Sequence, residues 1–159
     1  MGEGITSFSH TRLTVRKTLV TQTTHRGIVV FSDLSTIALE DVDVRHVRSP
    51  GGALGRVPSY GIVIAGTPTL AVTAERVRVE DAFGSGVGVM FGAQVHFTDL
   101  VVRSLRDDQT GVTRYGVGAT RHTRVELQRA RIEDVYGVGV VAADDGQVVA
   151  HQTVPAAAD

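Results

Sequence analysis

The chain contains no cysteine, so neither a disulfide nor a thiolate-held metal contributes to its fold. Net charge is only −1, from 16 Lys and Arg against 17 Asp and Glu. The cations are spread along the chain, which argues against the clustered basic surface of a nucleic-acid binder. No apolar run reaches the length of a membrane span, and no apolar signal-peptide core follows Met1. Almost no segment shows the i, i+3, i+4, i+7 spacing of an amphipathic helix, and the frequent valines and glycines oppose one. The dominant leucine series of a leucine-rich repeat is missing as well. β-structure is what remains.

That β-structure is periodic. One pattern, apolar-x-apolar-x-x-apolar-x-apolar, recurs as Ile37/Leu39/Val42/Val44, Val72/Ala74/Val77/Val79, Val95/Phe97/Leu100/Val102 and Val125/Leu127/Ala130/Ile132. A weaker copy, Leu13/Val15/Thr18/Val20, comes first, and a fading one, Val148/Ala150 then Thr153, comes last. Period-two pairs separated by a two-residue step read as two short strands meeting at a corner. The copies start near 13, 37, 72, 95, 125 and 148. A unit of about 23 residues cannot bury its own apolar side and must stack on its neighbours.

A third signal, glycine followed by alternating apolar residues, begins at Gly27, Gly61, Gly86, Gly116 and Gly137, and its first apolar residue lies 8 to 10 residues before each following pair. It predicts an inward set of Ile28, Val30, Ile62, Ile64, Val87, Val89, Val117, Ala119, Val138 and Val140. The corresponding outward strip is Val29, Val63, Gly88, Gly118 and Gly139, read as a flat, solvent-facing surface for close contact. A β-sandwich would not account for three signals sharing one period. The reading is therefore all-β: a single-stranded parallel β-helix domain over 1–159, about six coils with three short strands each.

Charges test that register. The residue before the third apolar position reads Lys17, Asp41, Arg76, Asp99, Arg129, and a second column reads Thr21, Arg45, Glu80, Arg103, Glu133. Parallel in-register strands bring such residues to about 4.8 Å spacing, so opposite signs attract at each step.

The glycine-started strand followed by paired V-x-V segments resembles the right-handed parallel β-helix superfamily of pectate lyases, pectin lyases, polygalacturonases and their non-catalytic relatives. The likeness spans roughly Gly4 to Thr153. It implies right-handed coils and leaves activity open, because one scaffold hosts lyases, hydrolases, epimerases and adhesins. The His-Gly and Arg-x-Lys elements of polygalacturonase-like enzymes are absent. The outward positions of the glycine strands offer no oxygen ligands for the Ca²⁺ of a pectate-lyase-like mechanism.

Two insertions at one corner, 48–60 and 103–115, both begin Arg-Ser and both end in tyrosine before glycine. Stacking places them two coils apart, about 10 Å by strand spacing, around the tight connection Ala82–Gly86. This predicts a cleft of saccharide width. Its candidate ligand-binding residues are Tyr60, Tyr115, Arg56 and Arg114, with Tyr136 one coil further on. Tyrosine rings suit sugar faces, and arginine suits a uronate carboxylate. Asp107 and Asp108, with Arg114, are weak catalytic candidates, since adjacent carboxylates rarely straddle one glycosidic bond. Solvated turn residues would show the same composition. Asp144-Asp145-Gly146 reads as turn chemistry. Histidines 10, 25, 46, 96, 122 and 151 fall in different coils and supply no converging metal set, so no metal or cofactor is expected.

Neither end shows a capping helix, so the expectation is a segment of a longer repeat protein, prone to end-to-end association. The functional expectation is a non-catalytic segment of a secreted or cell-envelope protein, structural and glycan-contacting. The competing expectation is a polysaccharide lyase, glycoside hydrolase or epimerase. Polysaccharide or adjacent coils of the parent protein are the expected partners.

Overall fold

The computed structural model describes residues 2–10, 12–33, 36–49, 58–107, 114–152 and 154–155. Among them the regular structure is all β, with every strand pair parallel, in two sheets. The first sheet holds β1 (Gly2–Phe8), β3 (His25–Ser32), β5 (Tyr60–Gly66), β7 (Ser85–Met90), β9 (Tyr115–Thr120) and β12 (Val138–Ala143), in that spatial order. The second holds β2 (Leu13–Thr21), β4 (Thr36–Val47), β6 (Ala71–Ala82), β8 (Gln94–Leu105), β10 (Arg124–Gln128) and β13 (Gln147–His151), with β11 (Arg131–Val135) pairing β8 and β14 (Val154–Pro155). Each strand thus pairs with its equivalent in the next unit, which the repeated pattern requires.

Register follows the apolar columns. Thr18, Val42, Val77 and Leu100 are successive partners, and Val42, Val77, Leu100 and Ala130 are all buried in one core between the sheets. Phe97, Ile37, Leu39 and Leu127 fill the same core from the second sheet, and Ile28, Ile62, Ile64 and Val87 from the first.

The expected pairs of short strands are instead long, bent strands: β2, β4, β6 and β8 run unbroken through the corner. The bend comes from one residue in the left-handed region, Lys17, Asp41, Arg76 or Asp99, with φ between 47° and 58°. A single such residue redirects the chain while its neighbours stay in the ladder. In the fifth and sixth units, at Arg129 (φ 54°) and Gln152 (φ 54°), the corner separates two strands, β10 from β11 and β13 from β14. A second bend column, Gln22, His46, Asp81, Ser104 and Asp134, follows the same rule.

Those corner residues are the alternating charge column. Arg76 Nε donates to Asp41 Oδ1 at 2.5 Å and Arg129 Nε to Asp99 Oδ1 at 2.6 Å. In the second column, Glu80 accepts from Arg103 on one side and lies 3.5 Å from Arg45 on the other. Charge alternation in the sequence marks real neighbours.

The glycines that open the first-sheet strands have a reason other than turn geometry. Gly27, Gly61, Gly86 and Gly116 are not among the positive-φ glycines. A Cβ on Gly61 would run into the Val79 side chain and stand 2.8 Å from the Gly86 carbonyl oxygen. Gly4, Gly27, Gly86 and Gly116 meet Val20, Val44, Val102 and Ile132 in the same way. Here a side chain of the second sheet packs directly on the first sheet's backbone, and no side chain larger than hydrogen fits.

Candidate functional site

The corner predicted as a cleft is formed by the strand starts at Tyr60, Ser85 and Tyr115, which are register neighbours across β5, β7 and β9. Arg56 and Asp108 lie outside the described residues, as do 50–57 and 108–113 of the two insertions. The remaining candidates are described.

Tyr60 and Tyr115 come together. Their ring centroids are 6.4 Å apart, tilted by 53°. They meet above the intervening strand, because that strand carries glycine where a side chain would stand. A Cβ on Gly88 would lie 2.8 Å from Tyr60 Cε1 and 3.2 Å from the Tyr115 hydroxyl, and one on Gly118 would lie 2.6 Å from Tyr115 Cζ. Tyr60 and Ser85 are the polar neighbours that act on the Tyr115 hydroxyl. Burial, then the neighbouring Tyr60, pushes its phenol well above the ordinary tyrosine range.

This overturns the reading of the outward strip as a flat exposed surface. Val29 and Val63 are 0% and 2% exposed, and Gly88 and Gly118 are buried under the tyrosine rings. Gly139 leaves the strip altogether. It aligns with the Gly116 position, since Val140 pairs Val117 and Val141 pairs Gly118. The last strand is therefore shifted by two residues from its expected register. Val138 and Val140, expected inward and buried, are 43% and 41% exposed. In the last strand the repeat Val-Gly-Val-Val offers two registers, and only the first matches the spacing of its predecessors.

Arg114 is not available to grip a ligand carboxylate. Its residue is 4% exposed, and its Nη2 donates to Asp107 Oδ1 at 3.2 Å. The buried guanidinium and the half-exposed carboxylate balance one another, as a buried charge requires. Tyr136 is 61% exposed and stands apart at the entry to β12.

A different polar cluster escaped the sequence reading. On the outer face of the second sheet, Arg124 donates from Nε and Nη2 to Glu126 Oε1 at 2.9 and 2.7 Å. Glu126 Oε2 faces His96 Nδ1 at 3.3 Å, and His96 Nε2 faces the Thr98 hydroxyl at 3.1 Å. Arg124 foremost, and His96 with it, hold the Glu126 carboxyl below the usual carboxylate range. His122 lies 3.6 Å from Asp145. The missed signal was Arg-x-Glu and His-x-Thr at one register in adjacent units, which places four polar groups on one face. Among the described residues there is no group of three or more His, Asp or Glu able to hold a metal ion, and no helix long and apolar enough to cross a membrane.

Comparison with family models, curated proteins and solved structures returns no match to this chain.

Proposed function

We propose that the chain is a right-handed parallel β-helix of about six coils, akin to the pectate lyase-like superfamily. In this reading it is a structural segment of a secreted or cell-envelope protein whose surface contacts glycans, and it does not cleave polysaccharide. Unit-to-unit parallel pairing in both sheets supports the coil, and parallel crossovers strongly favour the right hand. The observation that carries the functional part is the state of the corner: Arg114 is bonded to Asp107, and the Tyr60 and Tyr115 rings pack on one another. Groups engaged with one another stabilise a loop base and are poorly placed to attack a glycosidic bond.

The competing reading is a lyase, hydrolase or epimerase acting at that corner. Incubation with uronic-acid-containing and neutral polysaccharides, followed by assay of unsaturated products and reducing ends, separates the two. No turnover is expected. Turnover abolished by Asp107→Asn, in a protein that still unfolds cooperatively, would replace the structural reading with the enzymatic one. End-to-end association belongs to the same proposal. Exposed Phe8 and Leu19 on β1 and β2, and exposed Val138 and Val140 on β12, support it. Sedimentation over a concentration series should show mass rising with concentration; a constant monomer mass argues against it.

A further inference from the structure

We infer that the glycan contact just proposed is made on the outer face of the second sheet, at a depression beside the Arg124–Glu126–His96 network, and that it seats one ring of a neutral sugar. The inference rests on the glycan-contacting reading and moves its site away from the tyrosine corner.

The depression follows from side-chain size across three paired strands. Ala71 and Thr73 on β6 stand in register with Gln94 and His96 on β8, which in turn face Arg124 and Glu126 on β10. Small residues give the floor and long ones the wall. The half-open depression has a volume of about 210 Å³, room for a single ring. Ala71 offers a methyl group to the C–H face of a sugar, while hydroxyl, amide, imidazole, guanidinium and carboxylate surround it.

The network makes those groups a prepared surface. Glu126 is fixed by Arg124 at one oxygen and by His96 at the other. An ionised carboxylate accepts only, so His96 Nδ1 donates to Glu126, and Nε2 shares a hydrogen bond with the Thr98 hydroxyl. Holding these rotamers in the unbound protein lowers the ordering cost of binding. Glu126 Oε2 receives His96 and has a second lone pair for a ligand hydroxyl. Gln94 is anchored through Nε2 to the Pro68 carbonyl at 3.2 Å, and its amide oxygen is a further acceptor. Acceptors and donors side by side suit adjacent hydroxyls. The ionised Glu126 opposes an acidic sugar, and the Arg124–Glu126 pair leaves no net charge from these two residues to attract one.

The test measures binding of cellotriose, chitotriose and trigalacturonate to the full chain by ligand-observed NMR. Four proteins are compared: wild type, Glu126→Gln, Ala71→Phe and the double variant Tyr60→Ala/Tyr115→Ala. Glu126→Gln removes the charged acceptor and should weaken the neutral trisaccharides about tenfold or more. Ala71→Phe fills the floor without touching the network and should abolish binding, while thermal unfolding reports that each variant is folded. The tyrosine variant should bind as wild type, and trigalacturonate should bind worst. Binding lost in the tyrosine variant and retained in Glu126→Gln and Ala71→Phe overturns this inference and keeps the glycan reading at the corner. Preference for trigalacturonate overturns the neutral-sugar assignment. No binding of any trisaccharide to wild type removes the glycan reading and this site together.

Discussion

The two sheets are built from the same alternation, yet their outer faces have opposite character. On the second sheet the outer positions carry Arg, Glu, Asp, His and Thr, half-buried or exposed, tied across strands by ion pairs. On the first sheet the matching column is Val29, Val63, Gly88 and Gly118, buried throughout. Strands apolar on one face alternate in sequence, whereas strands covered on both faces read as continuous apolar runs. Gly61-Ile62-Val63-Ile64-Ala65 is such a run. The tyrosines that cap Gly88 and Gly118 are therefore part of a second, smaller apolar layer outside the main core. A parallel stack can bury both faces of one sheet and solvate one face of the other.

The sharpest test of this difference is one charge placed at the outer column of each sheet. Val63→Asp puts an unpaired carboxylate in a buried apolar position, and the expected loss is about 3–5 kcal/mol. Thr73→Asp puts the same group on the exposed face of β6 and should change stability by no more than about 0.5 kcal/mol. Denaturant midpoints of the two variants decide it. Equal, small effects would mean that the first sheet is open to water.

Next in size is the seam between the sheets. Gly61→Ala forces a methyl group against Val79 and the Gly86 carbonyl. The side chain can shift, but the carbonyl belongs to the adjacent strand and cannot. Overpacking of this kind costs about 1–3 kcal/mol. Gly139→Ala is the control: its Cβ would have Ile132 as nearest neighbour at 4.0 Å, and little loss is expected. Thermal unfolding of the pair separates close packing from a general intolerance of alanine.

Much of this was legible before the fold was known, and the omissions have physical causes. Apolar spacing revealed the columns because inward burial forces period two, and the charge columns revealed their order because neighbours of like sign repel. Bending through Asp41 and Arg76 without a break was hidden, since left-handed φ at an Asp or Arg leaves no mark in a single copy; only the recurrence of one polar residue before each third apolar position hints at it. Gly88 and Gly118 signalled small residues but not what covered them. Tyr60 and Tyr115 were placed at one corner two coils apart, while the contact between their rings depends on ring direction, which spacing does not encode. Glu126 and His96 were missed because each looks like an ordinary surface residue until register sets them side by side.

The covered face of the first sheet also titrates differently. Tyr115 is held neutral by burial and then by the neighbouring Tyr60, with Ser85 acting weakly the other way. A phenol whose folded value is raised contributes stability that is complete below its unfolded value, about pH 10, and is lost as pH rises toward the folded one. Stability should therefore fall above about pH 10. Gly118→Ala, which pushes the ring off its seat, should cost about 1 kcal/mol in lost aromatic packing and shift Tyr115 ionisation back toward the ordinary range. Ultraviolet phenolate absorbance against pH reads both proteins. Identical titration curves would show that the ring is not seated on Gly118.

The smallest effect belongs to the solvated face of the second sheet. Asp41 and Asp99 lie below the usual carboxylate range, foremost because Arg76 and Arg129 hydrogen-bond them, and Glu126 does so chiefly through Arg124. A depressed folded value contributes stability present above the unfolded value, about pH 4, and lost as pH falls through the folded one. These side chains are exposed, so water and salt screen each pair, and the column sets register more than it adds stability. Asp99→Asn should lower the melting temperature only slightly at neutral pH, and less again in 1 M salt, where the Debye length is about 3 Å. Below the carboxylate range the variant and the wild type should converge, since protonation removes the same charge that the substitution removes. Melting curves at neutral and acidic pH, each at low and high salt, give the comparison. An Asp99→Asn loss as large as that of Val63→Asp would mean that the charge column, and not the apolar layers, holds this sheet in place.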